Sequence, residues 1–275
     1  MDDPLQAMGH KDDPQTKTPS SVLLTLCVVA AMHFGGNHRK TPAFARDFAL
    51  FSHIPSPSRF SRRIHPLKPY LLAFLKTCLP FGQSNPLLSR LWKDPRQAQG
   101  YALDTFPLPT CENIRAQRSR LTPGRVYRGY IPSKRVYFHG FKPHLLVDDR
   151  LFVHEVGLTL GSAHDLNSLF LLPLEVEEGK PLYLDRGYES HVWEEVMREA
   201  MGIEVMPIRK RRSKRYVPWS QYLAILGRRV VETVGSMSRG LFPRRIHAVT
   251  QERFVLKVLS FVLVHNIRLL AQRME

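Results

Sequence analysis

A long apolar run in the middle of the chain decides its fold: Val136-Tyr137-Phe138-His139-Gly140-Phe141-Lys142-Pro143-His144-Leu145-Leu146-Val147. A polar turn sequence, Asp148-Asp149-Arg150, follows it, and residues 151–160 then form a second run of mostly apolar side chains. Two such runs joined by a short polar turn are typical of paired antiparallel strands. The sequence therefore predicts a β-hairpin over residues 136–160.

Shorter elements on either side of this hairpin extend the prediction. A short apolar strand at 101–103 precedes it and ends in Asp104, and a strand at 181–184 follows it and ends in Asp185. Residues 203–208 give one more strand, and helical patterns separate the later strands and close the chain. The predicted order is strand, hairpin, helix, strand, helix, strand, helix, helix. This order is typical of an α/β fold in which a mixed sheet carries helices on its faces.

The first third of the chain has a different pattern. Residues 1–20 place Pro4, Pro14 and Pro19 among polar side chains, which predicts a disordered tail. Residues 21–97 carry short helical patterns, including a basic segment around Arg62 and Arg63, and predict a small all-α domain. The α/β domain is then predicted to span residues 98–275.

The composition restricts the classes of protein that fit this chain. Of its 275 residues 43% are hydrophobic, which excludes a wholly disordered protein. Its 40 Lys and Arg residues outnumber its 24 Asp and Glu residues, and the net charge is +16 at pH 7. A charge of this size favours a polyanionic partner, which means nucleic acid or an anionic membrane surface.

No apolar segment is long enough to predict a membrane-spanning helix. The two candidates, residues 22–34 and 258–264, fall short of the roughly 20 residues that such a helix needs. Acidic residues precede the first candidate, where a signal peptide would carry positive charge. The cysteines, Cys27, Cys78 and Cys111, lack the spacing of a disulfide framework or a zinc site. We therefore predict a soluble protein of a reducing cytoplasm.

Two carboxylates stand at equivalent places in the predicted sheet. Asp104 and Asp185 each end an apolar strand, and ligands of open α/β sheets bind at that edge. An Asp at the end of a strand is often only a turn residue, but two neighbouring carboxylates are costly unless a cation lies between them. Glu232 is the best candidate for a third ligand of the cation. Its spacing from Arg228 is also that of a solvent-exposed i, i+4 ion pair on a helix, which is the alternative interpretation. Together the three acids predict a Mg²⁺ site with oxygen ligands.

A second set of candidate site residues is positively charged and is suited to bind phosphate groups rather than a metal ion. Six positive residues in a run of seven lie between the last predicted strand and the helix of Glu232: Arg209, Lys210, Arg211, Arg212, Lys214 and Arg215. A run of charge is often a solvated surface, but a loop that borders this edge of the sheet is well placed to bind DNA phosphates. Lys142 is a further candidate for a phosphate contact.

Four segments of the chain are informative when they are taken in order. They are Asp104-Thr105-Phe106-Pro107-Leu108-Pro109-Thr110-Cys111-Glu112-Asn113-Ile114-Arg115, Tyr137-Phe138-His139-Gly140-Phe141-Lys142-Pro143-His144, Asp185-Arg186-Gly187-Tyr188 and Arg229-Val230-Val231-Glu232-Thr233. Together they resemble the DDE transposases of bacterial insertion sequences. The resemblance covers residues 21–273. A common signature of the family has Tyr seven residues before its glutamate, Arg four before it and Lys seven after it. This chain has Ile225, Arg228 and Arg239 at those positions.

The resemblance implies an RNase-H-like catalytic domain preceded by a helical DNA-binding domain at 21–97. It implies that Asp104, Asp185 and Glu232 are a catalytic triad that binds Mg²⁺, with Mn²⁺ as a substitute, and that Arg228 and Arg239 contact DNA. The implied activity is a transposase that cuts the ends of a DNA element and joins the freed 3′ hydroxyl to target DNA. The implied partner is double-stranded DNA, bound by a homodimer in the bacterial cytoplasm at the nucleoid.

Two other functions fit the same sequence features. A nuclease of similar fold would cut DNA without joining it to a target. A DNA-binding protein without catalysis would use the positive charge alone. The presence of all three acids favours an enzyme over the second of these alternatives.

Overall fold

The structure is a computed structural model that describes residues 2–77, 98–169, 172, 174, 176–209, 211–243 and 246–274. The chain divides into two compact units. The first comprises residues 1–89 and 238–275, and the second comprises residues 90–237.

The second unit is built on a mixed sheet of seven strands. The strands are β1 (Tyr101–Thr105), β2 (Leu108–Cys111), β3 (Arg128–Ile131), β4 (Val136–Asp148), β5 (Val153–Leu160), β6 (Pro181–Leu184) and β7 (Glu204–Pro207). The main path through the sheet is β2-β4-β1-β6-β7, and β3 and β5 also pair with β4. The pair β1–β6 and the pair β6–β7 are parallel, and the other pairs are antiparallel. The α/β fold class is confirmed, and the sheet is consistent with an RNase-H-like fold.

The predicted hairpin is the pair β4–β5, and the side chain of Asp148 fixes its turn. Asp148 Oδ1 accepts hydrogen bonds from the backbone N–H groups of Arg150 and Phe152, at 3.0 and 2.9 Å. Its other oxygen pairs with the Arg150 guanidinium and with His154. Burial raises the pKa of Asp148, but the hydrogen bonds and charges of His154 and Arg150 outweigh it and hold that pKa below its ordinary value.

Two short strands, β2 and β3, lie between β1 and β4. β2 and β3 have only four residues each, and turn residues such as Pro123 and Gly124 lie between them. Short strands with proline give little period-2 signal, and pairing with the long strand β4 decides their conformation.

Helices cover the sheet of the second unit. They are α6 (Asp165–Ser168), α7 (His191–Met201) and α8 (Pro218–Leu241), the last of which runs into the first unit at residue 238. The α7 helix begins and ends as its sequence predicts, with Ser190 Oγ accepting from Trp193 N and Gly202 in the left-handed conformation at φ 61°. One buried cluster joins strand residues such as Leu103, Leu146 and Leu184 to Trp193 of α7.

The first unit is helical. The helices among its described residues are α1 (Asp2–Ala7), α2 (Ser20–His33), α3 (Lys40–Asp47), α4 (Pro57–Arg63), α5 (Lys68–Thr77) and α9 (Gln251–Met274). α9 packs against α2 and α5. Among the described residues α9 alone is long and apolar enough to cross a membrane by length and composition, and 72% of its apolar window is buried in this unit.

The structure differs from the predicted domain boundaries at both ends of the chain. Residues 238–275 belong to the helical unit rather than to the α/β domain, because the apolar side chains of α9 are buried against α2 and α5. The predicted disordered tail contains α1, whose Leu5 is buried, and Asp12 accepts hydrogen bonds from both the backbone and the hydroxyl of Ser20. The predicted boundary at 97 lies outside the described residues.

Candidate active site

Asp104 and Asp185 lie at matching positions on neighbouring parallel strands. β1 and β6 are in register, with Leu103 beside Leu184. Asp104 is the next residue of β1, and Asp185 directly follows β6, so the register places the two acids side by side. Neighbouring strands are about 4.8 Å apart. The sheet thus brings together the two half-buried carboxylates that the sequence predicts to meet.

The turn after Asp185 is fixed by a buried histidine. Tyr188 N donates to the carbonyl of Asp185 at 3.0 Å, and the Tyr188 hydroxyl lies 3.1 Å from His144 Nδ1 on β4. The other ring nitrogen of His144 lies 2.8 Å from Thr159 Oγ1 on β5. Burial lowers the pKa of His144 to about 4, so the ring is neutral at pH 7. The chain that carries Asp185 is therefore anchored to two strands of the sheet.

Glu232 reaches this region on α8, which is seated against β6. A Cβ atom on Gly227 would overlap the ring of Tyr183, so the helix approaches the sheet as closely as a glycine allows. Gln221, near the start of α8, donates from Nε2 to the carbonyl of Pro207 at the end of β7, at 3.3 Å. Glu232 is exposed and lies five residues beyond Gly227, or about 7.5 Å along the helix axis.

The three acids are not gathered into one group in this conformation. Within the described part of the chain, no set of three or more His, Cys, Asp or Glu side chains is close enough to hold a metal ion. The sheet places Asp104 beside Asp185, whereas Glu232 depends on the position of α8. Cys27 and Cys111 are free thiols, and Cys78 lies outside the described residues.

Arg209 does not have the role that the sequence predicts for it. Its side chain is only 8% exposed, and its guanidinium pairs with Glu194 of α7 and with Glu189. Its backbone N–H donates to Gln221 Oε1 at 2.6 Å. A buried Arg paired to two carboxylates ties α7, β7 and α8 together and is not presented to DNA. The sequence could not reveal this because its partners lie 15 and 20 residues away.

Lys142 is also engaged within the protein. Its ammonium group donates to the carbonyl of Ala163 at 2.9 Å and pairs with Asp165 at 3.1 Å. Asp165 in turn lies against Gly187, in the turn that follows Asp185. In this structure the charge of Lys142 is therefore paired with the partly exposed carboxylate of Asp165.

The other predicted phosphate contacts divide into exposed side chains and undescribed ones. Arg211, Arg212 and Lys214 are exposed. Arg215 is 44% exposed and lies near Glu194 and Glu195, at 3.8 and 3.9 Å. Lys210 and the side chains of Arg228 and Arg239 lie outside the described residues.

Sequence reasoning missed the contacts that support the carboxylates. These are the His144–Tyr188 hydrogen bond and the packing of Gly227 on Tyr183. Each joins residues more than 40 positions apart. The indication of these contacts that the sequence offered was Tyr188, the last residue of the segment Asp185-Arg186-Gly187-Tyr188.

Comparison with known proteins gives one match. A family model described as "Transposase DDE domain" matches residues 96–242, which is just over half of the 275 residues and includes Asp104, Asp185 and Glu232. Neither the search of curated proteins nor the search of solved structures found a match.

Proposed function

Since this chain belongs to the transposase DDE domain family and is a transposase, we propose that it cuts the ends of a DNA element and joins them to target DNA by metal-dependent phosphoryl transfer. The observation that carries the proposal is the register of β1 and β6, which places Asp104 beside Asp185. Both acids stand where ligands of open α/β sheets bind.

The donor set fits Mg²⁺, with Mn²⁺ as a substitute. Carboxylate oxygens are the hard ligands that Mg²⁺ prefers, and two half-buried acids one strand spacing apart are stabilised by a cation. We propose that Asp104 and Asp185 hold the metal and that Glu232 completes the site. When bound, the metal would stabilise the negative charge that develops as an attacking oxygen bonds to phosphorus and the bond from phosphorus to the 3′ oxygen of the DNA strand breaks.

The residues of this chain position the reacting groups. The β1–β6 register sets the separation of the two aspartates, and the His144–Tyr188 hydrogen bond holds the turn after Asp185. Because the three acids are not gathered in this conformation, we propose that α8 shifts when DNA and metal bind, which brings Glu232 to the pair. The exposed cations Arg211, Arg212 and Lys214 are proposed to hold the DNA backbone.

Two element ends must be joined in one event, and each chain carries one set of acids. We therefore propose that the active assembly is a homodimer on DNA. The mass of the complex with and without DNA, measured by light scattering, tests this point.

The test of the proposed reaction uses the full chain and a labelled DNA fragment. The fragment contains the sequences that flank the coding region of this protein. The reactions contain Mg²⁺, Mn²⁺ or EDTA, together with a supercoiled plasmid as target. We expect cut and joined products with either metal and none with EDTA. Cut products without joined ones would instead support a nuclease.

Matched variants show whether the three acids are responsible for the cutting of DNA. Asp104→Asn, Asp185→Asn and Glu232→Gln remove one negative charge each, and we expect each to abolish cutting while DNA binding persists. Glu204→Gln removes an exposed carboxylate at the start of β7 and is expected to cut DNA like the wild type. Full cutting by the three acid variants would overturn the proposal and favour a DNA-binding protein whose activity needs no triad.

A further inference from the structure

The segment from residue 113, shortly after β2, to residue 147, near the end of β4, carries positive charge without any acid. Residues 113–147 contain no Asp or Glu. Seven exposed cations lie in this segment: Arg115, Arg118, Arg120, Arg125, Arg128, Lys134 and Arg135. None of the seven forms an ion pair with a residue that the structure describes. Within the described part of the chain these cations therefore form a basic segment without paired acids, and it is distinct in sequence from the Arg209–Arg215 loop.

Two tyrosines lie exposed within this surface. Tyr130 of β3 is the cross-strand partner of Tyr137 of β4, and their ring centroids are 4.9 Å apart. The two residues are 46% and 49% exposed. The Arg128 guanidinium lies 4.2 Å from the centre of the Tyr137 ring. A sheet that presents two aromatic rings to solvent beside a stacked arginine has the features of a platform for nucleic-acid bases.

The strand β4 links this surface to the position of the acids in the sheet. Tyr137 and Leu145 are both on β4, and Leu145 is the cross-strand partner of Asp104 on β1. Eight residues of extended strand separate them, which is about 26 Å. That distance equals about eight base pairs of B-form DNA, whose rise is about 3.4 Å per pair on each strand. One DNA end can therefore contact both regions.

We propose that β3, the first residues of β4 and their flanking arginines form a binding site for DNA with unpaired bases. In this site the seven cations contact phosphates, and a base stacks on Tyr130. Bases of a continuous duplex are covered by their neighbours, so exposed tyrosine faces favour a single-stranded extension over blunt duplex. The inference rests on the proposed function only in taking DNA as the partner.

The test measures fluorescence anisotropy of the full chain with three labelled DNAs in EDTA, which prevents cutting. The DNAs are a single-stranded oligothymidine, a blunt duplex and the same duplex with a single-stranded extension. We expect Tyr130→Ala to weaken binding of the single strand and of the extended duplex by about 5- to 150-fold, since stacking contributes about 1–3 kcal/mol per base. Binding of the blunt duplex is expected to change less than twofold.

Further variants distinguish the contribution of the Tyr130 ring to DNA binding from that of the arginine charges. Tyr130→Phe keeps the ring and is expected to bind like the wild type. Arg125→Gln with Arg128→Gln is expected to weaken every DNA and to lower the single-strand salt slope by about 0.7 for each lost contact. Arg198→Gln is the matched control, because Arg198 is 66% exposed and pairs with Glu195 on α7. Circular dichroism checks that each variant is folded.

The possible failures are distinguishable. If the wild type binds single strands and Tyr130→Ala binds them equally well, this inference is overturned and the proposed function stands. If Tyr130→Ala weakens blunt duplex as much as single strands, the site does not select unpaired bases and the inference is overturned as well. If the wild type binds none of the three DNAs, the proposed function fails too.

Discussion

The hydroxyl of Tyr188 lies 3.1 Å from Nδ1 of His144, and this hydrogen bond joins the turn after Asp185 to β4. His144 is fully buried, and its second nitrogen is satisfied by Thr159. Both ring nitrogens thus have partners within the protein, which suits a structural rather than a metal-binding histidine. The pair gives the Asp185 turn a fixed position relative to the strand that lies beside Asp104.

The first prediction concerns this hydrogen bond. We expect Tyr188→Phe to lower the free energy of unfolding by about 1–3 kcal/mol, because it leaves a buried ring nitrogen without its partner. The same variant is expected to require more Mg²⁺ for half-maximal cutting, since the Asp185 turn is less constrained. Urea unfolding and a Mg²⁺ titration of cutting measure the two effects. Tyr216→Phe, at a half-buried position, is the control.

The second prediction is a pH dependence that arises from His144. Its folded pKa is about 4, against an ordinary value of 6.5, so the unfolded chain takes up the proton first as the pH falls. Above pH 6.5 the ring is neutral in both the folded and the unfolded state, so it does not make the free energy of unfolding depend on pH. Between pH 6.5 and pH 4 the folded state is progressively destabilised, by about 3 kcal/mol in total.

Urea unfolding at pH 7, 6, 5 and 4.5 measures this slope. We expect His144→Gln to unfold with a smaller loss of stability over that interval than the wild type. His191→Gln, at an exposed position on α7, is expected to keep the wild-type slope. Equal slopes for His144→Gln and the wild type would contradict the assignment to His144.

The third prediction tests how α8 is seated. Alanine normally stabilises a helix relative to glycine by about 1 kcal/mol. At Gly227 the added methyl group would overlap the Tyr183 ring, so we expect Gly227→Ala to destabilise the protein by about 1–3 kcal/mol. Gly240→Ala, on the same helix, meets no atom within 4 Å and is expected to be neutral or stabilising. Thermal unfolding of the two variants gives the comparison.

The fourth prediction concerns the buried ion pair of Arg209. We expect Arg209→Met to cost about 3–5 kcal/mol of unfolding free energy, because Glu194 would remain buried without its closest partner. The double variant Arg209→Met with Glu194→Gln is expected to recover part of that loss. Arg198→Ala breaks an exposed pair and is expected to cost under about 1 kcal/mol. An Arg209 variant as stable as Arg198→Ala would contradict the structural role.

The fifth prediction concerns the exposed cations of the Arg209–Arg215 loop. We expect Arg211→Gln with Arg212→Gln to weaken duplex DNA binding and to reduce the salt slope by about 0.9 for each lost phosphate contact. The unfolding free energy is expected to be unchanged, since both side chains are exposed. Binding measured at several salt concentrations tests the slope, and an unchanged slope would exclude these two residues from the interface.

The sequence by itself determined the elements that follow from local pattern. The hairpin over 136–160 and the helix between Ser190 and Gly202 are present, and so are the two short strands, one of which contains Asp104 and the other of which ends just before Asp185. Each depends on apolar periodicity, a capping side chain or a turn residue within a few positions. The mixed α/β class followed from the order of these elements, and four short segments were enough to indicate the family.

Only the tertiary structure decided which residues meet. The pairing of β1 with β6 brings Asp104 beside Asp185. Arg209 is buried in an ion pair and Lys142 is paired with Asp165, which engages both of these predicted DNA contacts within the protein. The same is true of the C-terminal helix, which joins the helical unit because its apolar side chains are buried there. These outcomes depend on contacts between residues far apart in the chain, whose free energy comes from burial and charge pairing that no local pattern encodes.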